Sequence, residues 1–164
     1  MDFAQPLDER KNVANDPSWS PLRCEKLITF AGGTTDAWGD DGGALDGAAV
    51  FTVTGTVRLR VMGIVETTPV GAATIEMGVT GSTAAALPQV ANATTMTTGF
   101  IWHMTDGTVD SKVEASTVCS EKIVANGADL LLTVGSTNIT AGAIRFIVSW
   151  YPVSADGNVV PSTN

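Results

Sequence analysis

Few side chains in this sequence have the type and spacing needed for catalysis. His103 is the single histidine, so a Ser-His-Asp arrangement would have to use it, and Asp106 lies close behind it. No G-x-S-x-G segment provides a nucleophile elbow. The histidine and the two cysteines, Cys24 and Cys119, also lack the spacing of zinc ligands. We therefore predict that the protein is not an enzyme, and we predict no cofactor and no metal site.

A glycine-rich loop from Asp36 to Gly47 contains four aspartates close together: Asp36, Asp40, Asp41 and Asp46. Carboxylate and carbonyl oxygens are the ligands that calcium prefers. The loop departs from the EF-hand pattern, because its third position is Trp38 and its twelfth is Gly47 instead of glutamate. A solvated acidic loop is the alternative interpretation, and the sequence leaves cation binding open.

Two further groups of residues could bind or cleave sugars. Glu66 and Glu76 could face each other across a hairpin at Pro69, as the paired carboxylates of a glycosidase do. Any outward pair on neighbouring strands would give the same pattern, so we favour a structural role. Tryptophans could form a sugar-stacking platform, but we predict that Trp150 lies in the core and that Trp38 is the exposed one.

Composition and charge exclude several classes of protein. The net charge is −8 and the pI is near 4.4, so the chain would repel phosphate backbones, and we predict no nucleic-acid partner. The N-terminus has neither the basic region nor the apolar region of a signal peptide, and no apolar run reaches the ~18 residues of a membrane helix. We expect synthesis in the cytoplasm, no membrane contact, and free thiols at Cys24 and Cys119, although spacing alone leaves a disulfide between them open.

Apolar residues alternate with polar ones along most of the chain, which indicates β-strands. In the last strand, Ile144, Phe146, Val148 and Trp150 share one face, while Arg145, Ile147, Ser149 and Tyr151 share the other. The same period of two runs through 57–65 and 75–79, and 83–86 is the one candidate helical turn. We predict an all-β fold, an antiparallel β-sandwich with about eight strands.

The dipeptide Asn126-Gly127 separates two β-prone runs, 122–125 and 128–134. A type I′ turn needs positive φ at both central residues, and Asn-Gly satisfies this need best. The pattern therefore predicts a tight hairpin.

Residues 1–22 differ in composition from the sandwich domain predicted for 23–164. Prolines at 6, 17 and 21 interrupt this segment, which indicates an extended arm. The arm nevertheless keeps four apolar side chains that a partner could bury: Phe3, Leu7, Val13 and Trp19. With Ile147 and Tyr151 on the outer face of the last strand, they form our predicted partner-binding set.

Four segments carry a resemblance to small structural proteins of tailed-phage virions: 63–71, 123–129, 139–146 and 151–157. Over residues 50–160 the chain resembles capsid decoration, or cement, proteins. The resemblance implies a jelly-roll-like sandwich without catalytic residues that sits on the capsid exterior, often as a homotrimer. Its implied partners are the major capsid protein and further copies of itself, and its implied role is to clamp neighbouring capsomers. The alternative is a tail, fibre or head-spike component that binds a host receptor or glycan.

Overall fold

The computed structural model describes residues 21–34, 36–104 and 120–164. They form ten β-strands and one short 3₁₀ helix, Ala93–Thr95. The strands are β1 Leu22–Thr29, β2 Ala48–Thr54, β3 Val57–Val70, β4 Thr74–Val79, β5 Ser82–Val90, β6 Ile101–His103, β7 Lys122–Val124, β8 Leu130–Gly135, β9 Ala141–Pro152 and β10 Asn158–Pro161. In this described part, no helix has the length and hydropathy needed to cross a membrane.

The strands form two antiparallel sheets, which confirms the predicted sandwich. Sheet A has the order β1-β9-β3-β6, with β7 also paired to β3, and sheet B has the order β10-β2-β8-β4-β5. Strand β1 therefore pairs with β9, β2 with β8, β3 with β6, and β4 with β5. This nesting of first with last and inner with inner is the strand order of a jelly roll. To that eight-stranded arrangement the chain adds β7 at the edge of β3 and β10 beside β2.

The core lies between the two sheets, and alternation along each strand creates it. The predicted facing is confirmed in β3, where Val57, Leu59, Val61 and Val65 are buried. It is also confirmed in β9, where Ile144, Phe146, Val148 and Trp150 point into the core. Sheet B contributes the opposite layer: Val50, Phe51, Val53, Ile75, Met77, Leu87, Leu130, Leu132 and Val134.

The turn at Asn126-Gly127 differs from its prediction in an informative way. Both residues have positive φ, 56° and 67°, as a type I′ turn requires. The flanking strands do not pair with each other, however: β7 belongs to sheet A and β8 to sheet B. The predicted hairpin is wrong, because the turn carries the chain from one sheet to the other. The Gly127 amide bonds the carbonyl oxygen of Gly55, at 2.8 Å, instead of a partner within a hairpin.

Two other local predictions are wrong. The hairpin predicted at Pro69 does not form, since β3 continues to Val70, a bend follows at Gly71 with a φ of 126°, and β4 belongs to the other sheet. Pairing between β3 and β9 is irregular beside this proline, as expected for a residue without an amide hydrogen. Residues 83–86 lie within β5 and form no helical turn. Their run of alanines has helical propensity, but pairing with β4 overrides it.

The sandwich begins slightly earlier than the predicted boundary at residue 23. Leu22 already pairs with Trp150 at the start of β1. The rest of the predicted arm, with Phe3, Leu7, Val13 and Trp19, lies outside the described residues.

Candidate functional site

The outer face of sheet A carries the two predicted partner-binding residues of the sandwich, Ile147 and Tyr151. Ile147 lies opposite Glu25 on one side and Met62 on the other, and only 9% of its surface is exposed. Tyr151 is half-buried, and the guanidinium carbon of Arg58 lies 4.7 Å from the centre of its ring. Tyr151 is therefore the more accessible of the two.

Charged side chains surround this face and link its strands. Arg145 Nε donates to Glu66 Oε1 at 2.6 Å, and Arg145 Nη1 donates to Glu25 Oε1 at 3.1 Å. These bonds join β9 to both of its neighbours, and the hydrogen bond that Arg145 donates to Glu66 is the main cause of the raised pKa of Arg145. Arg58 forms a second pair with Glu121 at 3.3 Å. The exposure of these pairs means that each adds little to stability.

A hollow of about 180 Å³ opens beside Tyr151 on this face. Its lining residues are Pro21, Arg60, Met62, Glu121, Ser149 and Tyr151. Arg60 Nε is buried and finds no hydrogen-bond partner among the described residues. A buried donor without an acceptor is unfavourable.

An apolar groove of about 240 Å³ lies at one edge of the sandwich, between β7 of sheet A and strands β5 and β8 of sheet B. Its lining includes Leu59, Val79, Ala86, Val124 and Leu130, with Lys122 at the same site. The neighbouring Ile123 is 67% exposed. Sequence reasoning missed this groove, because alternating apolar residues at a sheet edge have the same pattern as core residues. The sequence feature that could have indicated the groove is the short length of the β-prone segment at 122–125.

Two carboxylates of the acidic loop accept hydrogen bonds from backbone amides of the loop and of neighbouring segments. Asp46 accepts from the amides of Val134, at 2.9 Å, and Gly42, at 3.1 Å. Asp40 accepts from the Gly33 amide at 3.1 Å. Across the described residues, no three His, Cys, Asp or Glu side chains come together as a metal site would require.

The predicted tryptophan arrangement holds for Trp150 and fails for Trp38. Trp150 is buried, as predicted. Trp38 is half-buried against the core, and Lys26 Nζ lies 5.4 Å from its ring centre, so the prediction of an exposed ring is wrong. The loop folds back onto the sandwich, where Trp38 O accepts from the Ala31 amide at 2.9 Å.

The carboxylate pair suggested for glycoside chemistry does not form. Glu66 lies on sheet A and binds Arg145, whereas Glu76 lies on sheet B and accepts from Gln89 at 2.9 Å. His103 is buried on β6, and Asp106 lies outside the described residues.

Cys24 has a free, half-buried thiol, and burial raises its pKa to about 11. A thiol with this pKa is almost entirely protonated at neutral pH and is a poor nucleophile. Cys119 lies outside the described residues.

The chain matches no protein-family model, and comparisons with curated proteins and with solved structures returned no match. The site must therefore be interpreted from its own chemistry.

Proposed function

We propose that this protein is a structural component of a phage virion that decorates the capsid exterior and stabilises it by clamping neighbouring capsomers. The observation that carries the proposal is the nested strand order, β1 with β9, β2 with β8, β3 with β6 and β4 with β5. Viral capsid proteins and lectins are prominent users of this jelly-roll order. The inference from fold to function is an analogy, and the sequence resemblance to decoration proteins adds to it.

The outer face of sheet A supplies a chemically suitable contact surface. Tyr151 presents an aromatic ring with a polar end, and Arg58 and Arg60 supply planar donors, which are the residue types enriched at interface centres. Arg60 Nε is buried and has no acceptor among the residues that the structure describes. In this proposal the major capsid protein covers the hollow beside Tyr151.

The alternative, a tail or fibre module that binds a host glycan, would need aromatic rings open to solvent. Trp38 was the candidate for such a platform, but it packs against the core beneath Lys26. This observation favours decoration over glycan binding.

Cryo-electron microscopy of capsids that lack the protein, before and after its addition, tests the proposal. We expect new density at symmetry-related positions over the whole shell. Tyr151→Asp should abolish that density, whereas Thr52→Asp, an exposed substitution on β2 of the other sheet, should leave it unchanged. Density confined to the tail, or none at all, would refute the decoration role.

A further inference from the structure

No described side chain fills the apolar groove at β7, and its described lining includes one cation, Lys122. In sheet A, Lys122 lies opposite Leu59 and Val124 lies opposite Val57, so both point to the core side of β7. Lys122 has no ion-pair partner among the described residues. A groove of about 240 Å³ with this lining fits an apolar side chain that has a carboxylate beside it.

The described chain begins at the opposite edge of the same sheet. Leu22 lies opposite Trp150, Trp150 opposite Leu59, and Leu59 opposite Lys122, so one row of residues runs from β1 to β7. Three strand spacings make this row about 14 Å long. Residues 1–20 precede β1, and a segment of that length can span up to about 66 Å.

The composition of the N-terminal segment complements the groove. Phe3 and Leu7 are its first two large apolar side chains after Met1, and three carboxylates lie beside them: Asp2, Asp8 and Glu9. These acids are opposite in charge to the unpaired Lys122, while the apolar side chains match the groove lining. We propose that the groove binds residues 2–9 of a neighbouring copy of this chain. The inference deepens the proposed function and rests on its self-association.

The opposite placement of the two features favours a neighbour as the donor. The segment enters at the β1 edge and the groove lies at the β7 edge, so copies side by side bring donor and acceptor together. Within one copy, β9 and β3 lie between the β1 edge and β7. A head-to-tail contact of this kind closes into a ring when the rotation permits, which agrees with the expected trimer.

Charge reversal in the full-length protein tests the contact by sedimentation equilibrium. We expect Lys122→Glu alone to weaken self-association at least tenfold, and Asp8→Lys with Glu9→Lys to weaken it similarly. Combining all three substitutions should restore most of the affinity. Thr52→Glu, which adds a negative charge at an exposed position of β2 in the other sheet, is the control and should change little.

A groove-filling pair of variants gives an independent measurement. Ala85→Phe places a ring in the groove, whereas Ala84→Phe places one at the exposed neighbouring position of β5. We expect only the first to weaken self-association, with circular dichroism spectra that remain those of the folded wild type.

Three outcomes would overturn the inference. The wild type could be a monomer at all concentrations, or the triple variant could fail to regain self-association. The triple variant could also regain thermal stability while its sedimentation mass stays that of a monomer. The last outcome would place the segment in its own groove. Capsid binding is measured separately, so intact self-association without capsid binding would refute decoration alone.

Discussion

Trp102 and Phe146 meet edge-to-face across β3, with ring centroids 6.0 Å apart and planes inclined at 61°. Gly63 lies between them in the same row of the sheet, opposite Trp102 on one side and Phe146 on the other. The indole Nε1 also donates to the carbonyl oxygen of Pro88 on β5, at 3.0 Å, and so ties sheet A to sheet B. This cluster joins the two layers of the sandwich at its centre.

Phe146→Ala should lower the free energy of unfolding by about 3–5 kcal/mol, because the ring is fully buried and its removal leaves a cavity. Urea denaturation followed by tryptophan fluorescence measures the change. Val153→Ala, at an exposed position outside the groove, is the control and should lose less than about 0.5 kcal/mol. A loss below about 1 kcal/mol for Phe146→Ala would contradict the assigned facing of β9.

Gly63→Val should also destabilise the protein, by about 1–3 kcal/mol through overpacking. A Cβ atom at this position would lie 3.1 Å from Ile144 Cγ2 and 3.4 Å from Phe146 Cε1. The two added methyl groups must therefore displace a ring. Thermal denaturation tests this expectation, and an unchanged melting temperature would show that the cluster can rearrange freely.

The strands that the sequence predicts best are those with one face in the core. Alternation in β3 and β9 follows directly from burial on one side, because a shift of one residue would expose every apolar side chain. Alternation does not predict which strands pair with each other, since strand pairing depends on the global topology. The dihedral angles at Asn126-Gly127 are local and were predicted correctly, whereas the assignment of β7 and β8 to different sheets is not encoded in the turn.

Gly127→Ala should destabilise the fold by about 1–2 kcal/mol, the typical penalty for a Cβ atom in the left-handed region. Gly127 has a φ of 67°, and an added Cβ would approach the Val53 carbonyl oxygen at 3.1 Å. Asn126→Gly is the matched control, because glycine adopts the positive φ of this position without strain. Equal losses in the two variants would mean that φ at Gly127 does not limit the turn.

The candidate contact surfaces were only partly predictable. Alternation placed Ile147 and Tyr151 on the outer face of β9, but their different exposure depends on neighbours from other strands. The groove at β7 takes its lining from five strands and the β7–β8 connection, which come together only in the folded jelly roll. The acidic and apolar pattern of residues 2–9 is visible in the sequence, but it can be matched to a binding site only when the position of Lys122 in the fold is known.

Cys24 should react slowly with Ellman's reagent in the folded protein. A thiol whose pKa is about 11, compared with 9.0 for the ordinary value, has on the order of 100-fold less thiolate at pH 8. The reaction rate is compared between native and urea-unfolded protein in a Cys119→Ser background, so that Cys24 is the single thiol that reacts. Equal rates in the two states would show that Cys24 is not protected by burial.

The same thiol should make stability depend on alkaline pH. Its folded pKa is raised, so the folded state keeps a proton that the unfolded state loses above pH 9. The stabilising contribution is therefore complete below pH 9 and falls as the pH rises towards 11. Cys24→Ser should remove this part of the slope in urea denaturation, again in the Cys119→Ser background. Parallel curves for the two proteins would contradict the shift.

Deletion of residues 1–20 should separate folding from assembly. Both described sheets are built from later residues, so we expect a folded truncated protein with a melting temperature close to that of the full chain. Phe3, Leu7, Val13 and Trp19 are the predicted partner-binding side chains of the arm. If they bind partners, the truncated protein should sediment as a monomer and should no longer bind capsids. The physical reason is that each buried aromatic ring contributes several kcal/mol of binding free energy, at ~25 cal/mol per Å² of apolar surface. Replacing residues 1–20 with a Gly/Ser segment of equal length is the control for tether length, and it should behave like the deletion. A truncated protein that unfolds, or that still assembles and binds capsids as the full chain does, would show that the arm is not the attachment segment.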